Sequence, residues 1–250
     1  QLTIPKEVLN KVESDPGIQR AREFYLLGNL ASASREWTFT TNHLPTTQEM
    51  VAAGRIADRW GWYRQAIQTM QDSDYWDELS VRFPIPFNEH VKAAVRQTSI
   101  DPHFVYAIAK QESAFNTDAK SPVGAMGLMQ LMPTTAKSTA KKAGLLYRPQ
   151  DLLTADKNIV LGSHYLEELL GAFSGNRILA AAAYNAGPGR VKQWLNKDDN
   201  KLPYDVWIET IPYKETRLYV QNILSFAVVY AYRTGSSQPF ITPQEAARQL

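Results

Sequence analysis

Apolar residues recur along most of this 250-residue chain at the three- and four-residue spacing of a helix face. Strand-like alternation is scarce, so the pattern predicts an all-α fold with at most a minor β element. The first 86 residues read as helices with breaks. Ala21 to Trp37 carries Phe24, Leu26, Leu27, Leu30 and Ala33 with a glycine at Gly28, and a similar segment comes next with Ala53, Ile56, Ala57, Trp60, Gly61, Tyr63, Ala66 and Ile67. Gly28 and Gly61 share one offset with Ala33 and Ala66, close to the period of helical hairpin repeats. Two copies alone leave the repeat open. If it is real, an upstream array or packing against the downstream domain is expected, because such repeats stabilise one another. The start at Gln1, without a methionine, fits a fragment or a processed chain.

Phe83-Pro84-Ile85-Pro86-Phe87 is expected to be extended, since proline disfavours helix at itself and just before, and it marks a boundary. Beyond it, Asn88 is expected to cap a helix through Thr98. Asp101-Pro102 opens another, with Phe104, Val105, Ile108 and Ala109 on one face. Further helices are predicted over 133–143, 156–173, 178–184, around Val191, Trp194 and Leu195, and over 213–232. The 178–184 helix is expected to break at Tyr184-Asn185-Ala186-Gly187-Pro188-Gly189. The polar tail from Thr234 holds a short helix after Pro243. The domains so drawn are 1–86, 87–233 and 234–250.

One helix ends on a carboxylate. Glu112 falls four residues past Ile108 and seven past Val105, on the apolar face and in the last turn. Burial disfavours its charged form, and the negative end of the helix dipole does the same. A carboxyl group that keeps its proton near neutral pH is what general-acid chemistry requires. The alternative is that Glu112 turns outward into solvent. The next stretch, Ser121 to Pro133, is neither helix nor strand. Two glycines and two prolines set its turns, three methionines give it apolar bulk, and Gln130 offers a donor and an acceptor.

Composition narrows the chemistry mainly by exclusion. The chain has no cysteine, so thiolate chemistry and disulfides are out. His43, His90, His103 and His164 are scattered without ligand spacing, which argues against a metal site, and no residue pattern demands a cofactor. A net charge of +2 without a basic run argues against nucleic acid. No run of apolar residues is long enough for an integral membrane segment, and no signal-peptide pattern is present.

Four separated segments each bear one or two polar side chains at a helix end or glycine-rich loop. They are Gln111-Glu112-Ser113, Gly127-Leu128-Met129-Gln130, Ala183-Tyr184-Asn185-Ala186-Gly187, and Ile211-Pro212 followed by Glu215-Thr216-Arg217. In order and wording they resemble the catalytic domain of the soluble lytic transglycosylases, over roughly residues 87 to 233. The region before it is similar to the linker of that family's larger members, which comes after a superhelical array of hairpins.

The resemblance implies a lysozyme-like helical domain acting on peptidoglycan glycan strands in the periplasm, with Glu112 as the single general acid and base. It implies that Ser121, Gln130 and Met132 line the subsites beside the scissile bond. It also implies that Tyr184 hydrogen-bonds near Glu112, that Asn185 shapes the turn behind it, and that Glu215 faces the groove. Each keeps a structural alternative: Tyr184 as a core aromatic, Glu215 paired with Arg217 or Lys214 at the surface, and Asn185 supporting a left-handed turn. Two functional rivals also stand, a muramidase similar to goose-type lysozyme and a catalytically silent glycan-binding or assembly module. Ordinary glycosidases use a second carboxylate. The only acidic residue close downstream of Glu112, Asp118, lies in a polar loop expected to be solvated.

Overall fold

The computed structural model describes residues 2–196, 201–247 and 250; the start at Gln1 and part of the 234–250 tail lie outside them. Among the described residues every regular element is a helix, and the β content is two isolated antiparallel bridges, Lys120 with Met126 and Met126 with Leu131. The chain divides into two compact units, one ending at Pro84 and the other beginning at Ile85.

The first unit holds α1 (Lys6–Glu13), α2 (Pro16–Leu26), α3 (Leu30–Thr41), α4 (Thr47–Arg59), α5 (Tyr63–Asp72) and α6 (Leu79–Arg82). The 33-residue offset between Gly28 and Gly61 is a structural repeat. Both glycines are left-handed, at φ 73° and 75°, between the helices of a hairpin, α2–α3 and α4–α5. The backbone bonds that close the two turns correspond in position: Asn29 N to Phe24 O at 2.9 Å, and Trp62 N to Ala57 O at 3.0 Å. Ala33 and Ala66 are both fully buried, which lets the hairpins approach. Between them Trp37 is buried, donates from Nε1 to Thr69 Oγ1 at 2.9 Å, and meets Trp60 and Trp62 edge-on.

The second unit holds α7 (Asn88–Thr98), α8 (Pro102–Ser113), α9 (Pro133–Ala143), α10 (Ala155–Ala172), α11 (Arg177–Ala186), α12 (Pro188–Leu195), α13 (Tyr204–Thr210), α14 (Lys214–Arg233) and α15 (Pro243–Ala247). Two expected details differ. Phe87 is left-handed (φ 56°) rather than extended, and it precedes α7 with no side-chain cap from Asn88. Helix α11 does not break at Tyr184. It continues through Asn185 and Ala186, held by Gly187 N to Ala183 O at 2.8 Å, and only Gly187 departs, at φ 91°. Pro188, which has no N–H to satisfy, then starts α12.

Helix α8 runs through the core. Phe104 to Lys110 are all buried, so the helix is enclosed on every side rather than amphipathic. It packs on α14, which also packs on α11, whose four consecutive alanines Ala180–Ala183 have no exposed surface. Small side chains let these backbones approach closely. The segment after Arg233 folds back onto this unit. Glu245 in α15 takes three hydrogen bonds from Arg177, the closest at 2.7 Å from Nη2, and both side chains are largely buried.

The irregular stretch after α8 is built on one buried amide. Asn158 in α10 has no exposed surface; its Oδ1 accepts from Met129 N at 2.8 Å, and its Nδ2 donates to Met126 O at 3.0 Å and Leu152 O at 2.9 Å. Gly127 makes this possible. A Cβ there would lie 1.9 Å from Leu152 O and 2.3 Å from Asn158 Nδ2, and the residue sits at φ +78°. Buried backbone polar groups without partners are costly, so a loop threaded through a core needs such a clamp.

Replacing Asn158 by alanine strands one amide and two carbonyls, and we expect a loss of about 3 kcal/mol in urea unfolding; a change below about 1 kcal/mol would show that water takes over the clamp. Replacing Glu245 by glutamine leaves the largely buried Arg177 charge unpaired, and faster hydrogen exchange over 242–247 with cleavage by trypsin after Arg233 is expected.

Candidate active site

Glu112 lies in the last turn of α8, which stops because Ala114 and Phe115 are both left-handed, at φ 48° and 64°. Its side chain is only partly exposed, and its Oε1 accepts a hydrogen bond from the Tyr219 hydroxyl at 2.6 Å. Burial pushes the carboxyl up from its ordinary 4.5 to about 7; the Tyr219 hydrogen bond pulls against that rise, and the negative charge of Glu215 adds to it. Glu112 therefore does not turn outward into solvent. It is a carboxyl group poised between its two protonation states near neutral pH.

The surroundings fix its place. Ser113 Oγ donates to Leu128 O at 2.8 Å, so the end of α8 is stitched to the Asn158-clamped loop one residue past the acid. Gln111 Oε1 accepts from Asn222 Nδ2 at 3.2 Å, so α14 holds the residue before it. Tyr219 is buried, and burial followed by the nearby Glu112 charge raises its hydroxyl well above the usual range. It stays protonated as a donor.

Most of the residues expected from the sequence have partners of their own. Tyr184 does not bond Glu112 itself: its hydroxyl donates to Met129 O at 2.7 Å. It is still near the acid, since the Glu112 charge contributes, after burial, to raising its hydroxyl. Asn185 is helical and joins α11 to α14, accepting from Thr216 Oγ1 at 2.7 Å and donating to Glu215 Oε1 at 3.3 Å. Glu215 is thus partnered by Asn185, while Arg217 donates to Ile211 O at 2.9 Å. Gln130, left-handed at φ 48°, turns its amide nitrogen back to Gly127 O at 2.9 Å and Ala119 O at 3.2 Å. Ser121 Oγ accepts from Ala125 N at 2.9 Å, and Met132 stands exposed before α9. Asp118 is exposed, in a turn closed by its own N–H on Asn116 Oδ1 at 3.0 Å.

Two residues central to this arrangement were not singled out from the sequence. Tyr219 falls four residues after Glu215, one helical turn along, a spacing that would have placed it on the same face. Asn158 is four residues before Gly162 and so shares the apolar face of α10, where a polar side chain asks for a partner.

Comparison with known proteins extends the match across both units. Residues 89–206 match the transglycosylase SLT domain, residues 11–79 the soluble lytic murein transglycosylase L domain, and residues 210–239 the soluble lytic transglycosylase helical domain. The soluble lytic murein transglycosylase of Salmonella typhimurium is 36% identical over 248 residues, covering 98% of this chain and 38% of that protein. An inactive mutant of the lytic transglycosylase Slt from Pseudomonas aeruginosa superposes with a TM-score of 0.90 at 44% identity, over 98% of this chain and 40% of that one. The 70 kDa soluble lytic transglycosylase from Escherichia coli gives 0.89 at 34% identity, over all of this chain and 40% of that one. The chain therefore spans about two fifths of the length of the relatives it matches. In each of these relatives the likeness takes in the hairpin unit as well as the unit that holds Glu112, and the chain belongs to the soluble lytic transglycosylase family.

Proposed function

We propose that the chain cleaves the glycan strands of peptidoglycan at the bond between N-acetylmuramic acid and N-acetylglucosamine without consuming water. The observation that carries this reading is the carboxyl of Glu112, pushed up to about 7 and held by one tyrosine hydroxyl. In the first half of the reaction the protonated carboxyl gives its proton to the glycosidic oxygen, and the bond from that oxygen to the muramic C1 breaks. Positive charge then develops at C1, where the substrate's own 2-acetamido oxygen can support it. In the second half the Glu112 carboxylate takes the proton of the muramic C6 hydroxyl while that oxygen bonds to C1. The product is a 1,6-anhydro ring, and Glu112 ends protonated as it began.

A second carboxylate has no task in this scheme. Glu215, the acidic group whose charge acts on Glu112, is exposed and bonded to Asn185, a position suited to tuning the acid rather than to attacking C1. The solved Pseudomonas aeruginosa relative is inactive as a glutamate-to-glutamine mutant, the change that removes such an acid. Gln130, Ser121 and Met132 remain the proposed subsite lining, with Tyr184 and Asn185 framing the acid. Peptidoglycan as substrate places the work in the periplasm of a bacterium. Among the described residues no helix is long and apolar enough to cross a membrane.

Mass spectrometry of digested sacculi is expected to show 1,6-anhydro muropeptides, with cleavage lost in Glu112→Gln while binding to sacculi persists. Reducing-end products would make the protein a muramidase, and full activity of Glu112→Gln would make another group the acid. The acid step needs the protonated carboxyl, so activity is expected to fall as the pH rises through about 7. Tyr219→Phe removes a bond that favours the carboxylate form, so this basic limb should move up by about one pH unit. A limb that stays in place or moves down would mean that Tyr219 does not bond the ionised acid.

A further inference from the structure

Charge is unevenly placed along the chain. From Ala119 to Gln150 there are five cations, Lys120, Lys137, Lys141, Lys142 and Arg148, and no aspartate or glutamate. Without them the net charge of +2 would be −3, so this stretch carries the whole positive excess. Four of the five lie on α9 and the loop after it. Lys137 and Lys141 are exposed one turn apart, Lys142 is exposed beside Lys141, and Arg148 is exposed at the end of the loop. Among the described residues Lys142 pairs with Glu168 while keeping 63% of its side chain in solvent, and Lys137, Lys141 and Arg148 form no ion pair. Between Lys142 and Arg148 in the chain stands Leu146, 97% exposed, more than any other large apolar side chain among the described residues. The local fold turns it outward. Gly144, left-handed at φ 68°, ends α9, and Leu145 N returns to Ala140 O at 2.8 Å. Leu145 and Tyr147 pack inward against the cluster that holds Ala136, Ala140 and Leu152, so the residue between them faces water. Any polar side chain would serve there, yet the chain has a leucine.

One leucine is too little for a protein interface, which buries about 800 Å² on each partner. A glycan strand meets it with hydroxyls rather than hydrocarbon. The surface that takes an apolar tip and flanking cations together is a bilayer with acidic lipids, where hydrocarbon lies just beneath the phosphates. Lysine and arginine stems lie along that boundary with their charged ends at the phosphate level. We propose that the second half of α9 and the loop through Arg148 form a docking face for an anionic lipid surface. Leu146 is its inserted tip, and Lys137, Lys141, Lys142 and Arg148 meet the phosphates. Met132, a proposed subsite residue, stands before the first turn of α9, about 14 Å from Lys141 by helical rise, so lipid and glycan need not compete. The attachment is reversible, since one side chain and four charges hold far less firmly than a spanning helix.

The test floats the whole chain with vesicles of phosphatidylcholine alone, or with about a third of it replaced by phosphatidylglycerol. Binding is expected to the second only, and it should weaken in high salt. Lys137→Ala, Lys141→Ala and Arg148→Ala should each lower the affinity about fivefold, and Leu146→Ser should lower it about tenfold. The chain has no cysteine, so Leu146→Cys can carry a single polarity-sensitive dye. Its emission should shift to the blue on the anionic vesicles. The same dye at Leu27→Cys, a site 78% exposed in the first unit, should not respond. Equal binding to both vesicles, or binding to neither, would overturn the inference, and that comparison needs no variant. Bound protein with a silent dye at Leu146→Cys would overturn it too. So would a triple alanine variant of Lys137, Lys141 and Arg148 that loses its hold on sacculi and keeps its hold on vesicles, because the cations would then serve the glycan.

Discussion

The side-chain amide of Asn158 is the interaction on which the site depends. Catalytic loops usually run over the surface, where water satisfies their backbone. Here the stretch from Met126 to Met129 passes through the interior, and one amide supplies both the acceptor and the donors that it lacks. Because those groups are settled, the neighbouring carbonyls of Leu128 and Met129 are free to receive Ser113 and Tyr184. The chain of dependence runs from α10, through a loop with no regular structure, to the end of α8 and the carboxyl of Glu112.

The acid itself is governed by opposed effects of different range. Desolvation is the largest and comes from the whole enclosure of the α8 terminus. The charge of Glu215, in the first turn of α14, works in the same direction. The Tyr219 hydroxyl works against both at contact distance, since a donor at 2.6 Å favours the ionised form. A carboxyl subject to burial alone would hold its proton too firmly to donate, and one bonded by several donors would never take it up. The tyrosine places the group between those limits, and its own burial keeps it a donor throughout.

Much of this was legible in the sequence because it derives from local rules. Asp101-Pro102 starts α8 as a cap followed by proline should, with Asp101 accepting from His103 N at 2.9 Å. The glycine offset of the first unit located two hairpin turns because a left-handed residue is needed at each. The acid was legible as an exception to the apolar pattern of its helix. What was not legible depends on contacts between distant segments. Tyr184 and Tyr219 are both aromatic residues of packed helices, and that one bonds the Met129 carbonyl and the other Glu112 follows from contacts between distant segments. Phe87 gave no sign of its left-handed turn, because apolar residues seldom adopt one.

Helices α8 and α14 are joined at both extremities. Near the start of α8, His103 Nε2 lies 2.8 Å from Thr234 Oγ1, just past the end of α14. At its finish, Gln111 and Glu112 meet Asn222 and Tyr219 in the first half of α14. Two antiparallel rods pinned at both ends cannot slide along each other. A slip of one residue would displace the tyrosine by about 1.5 Å, more than a short hydrogen bond tolerates. The pair acts as a vernier, in which bonds two turns and more from Glu112 hold its carboxyl oxygen to its mark.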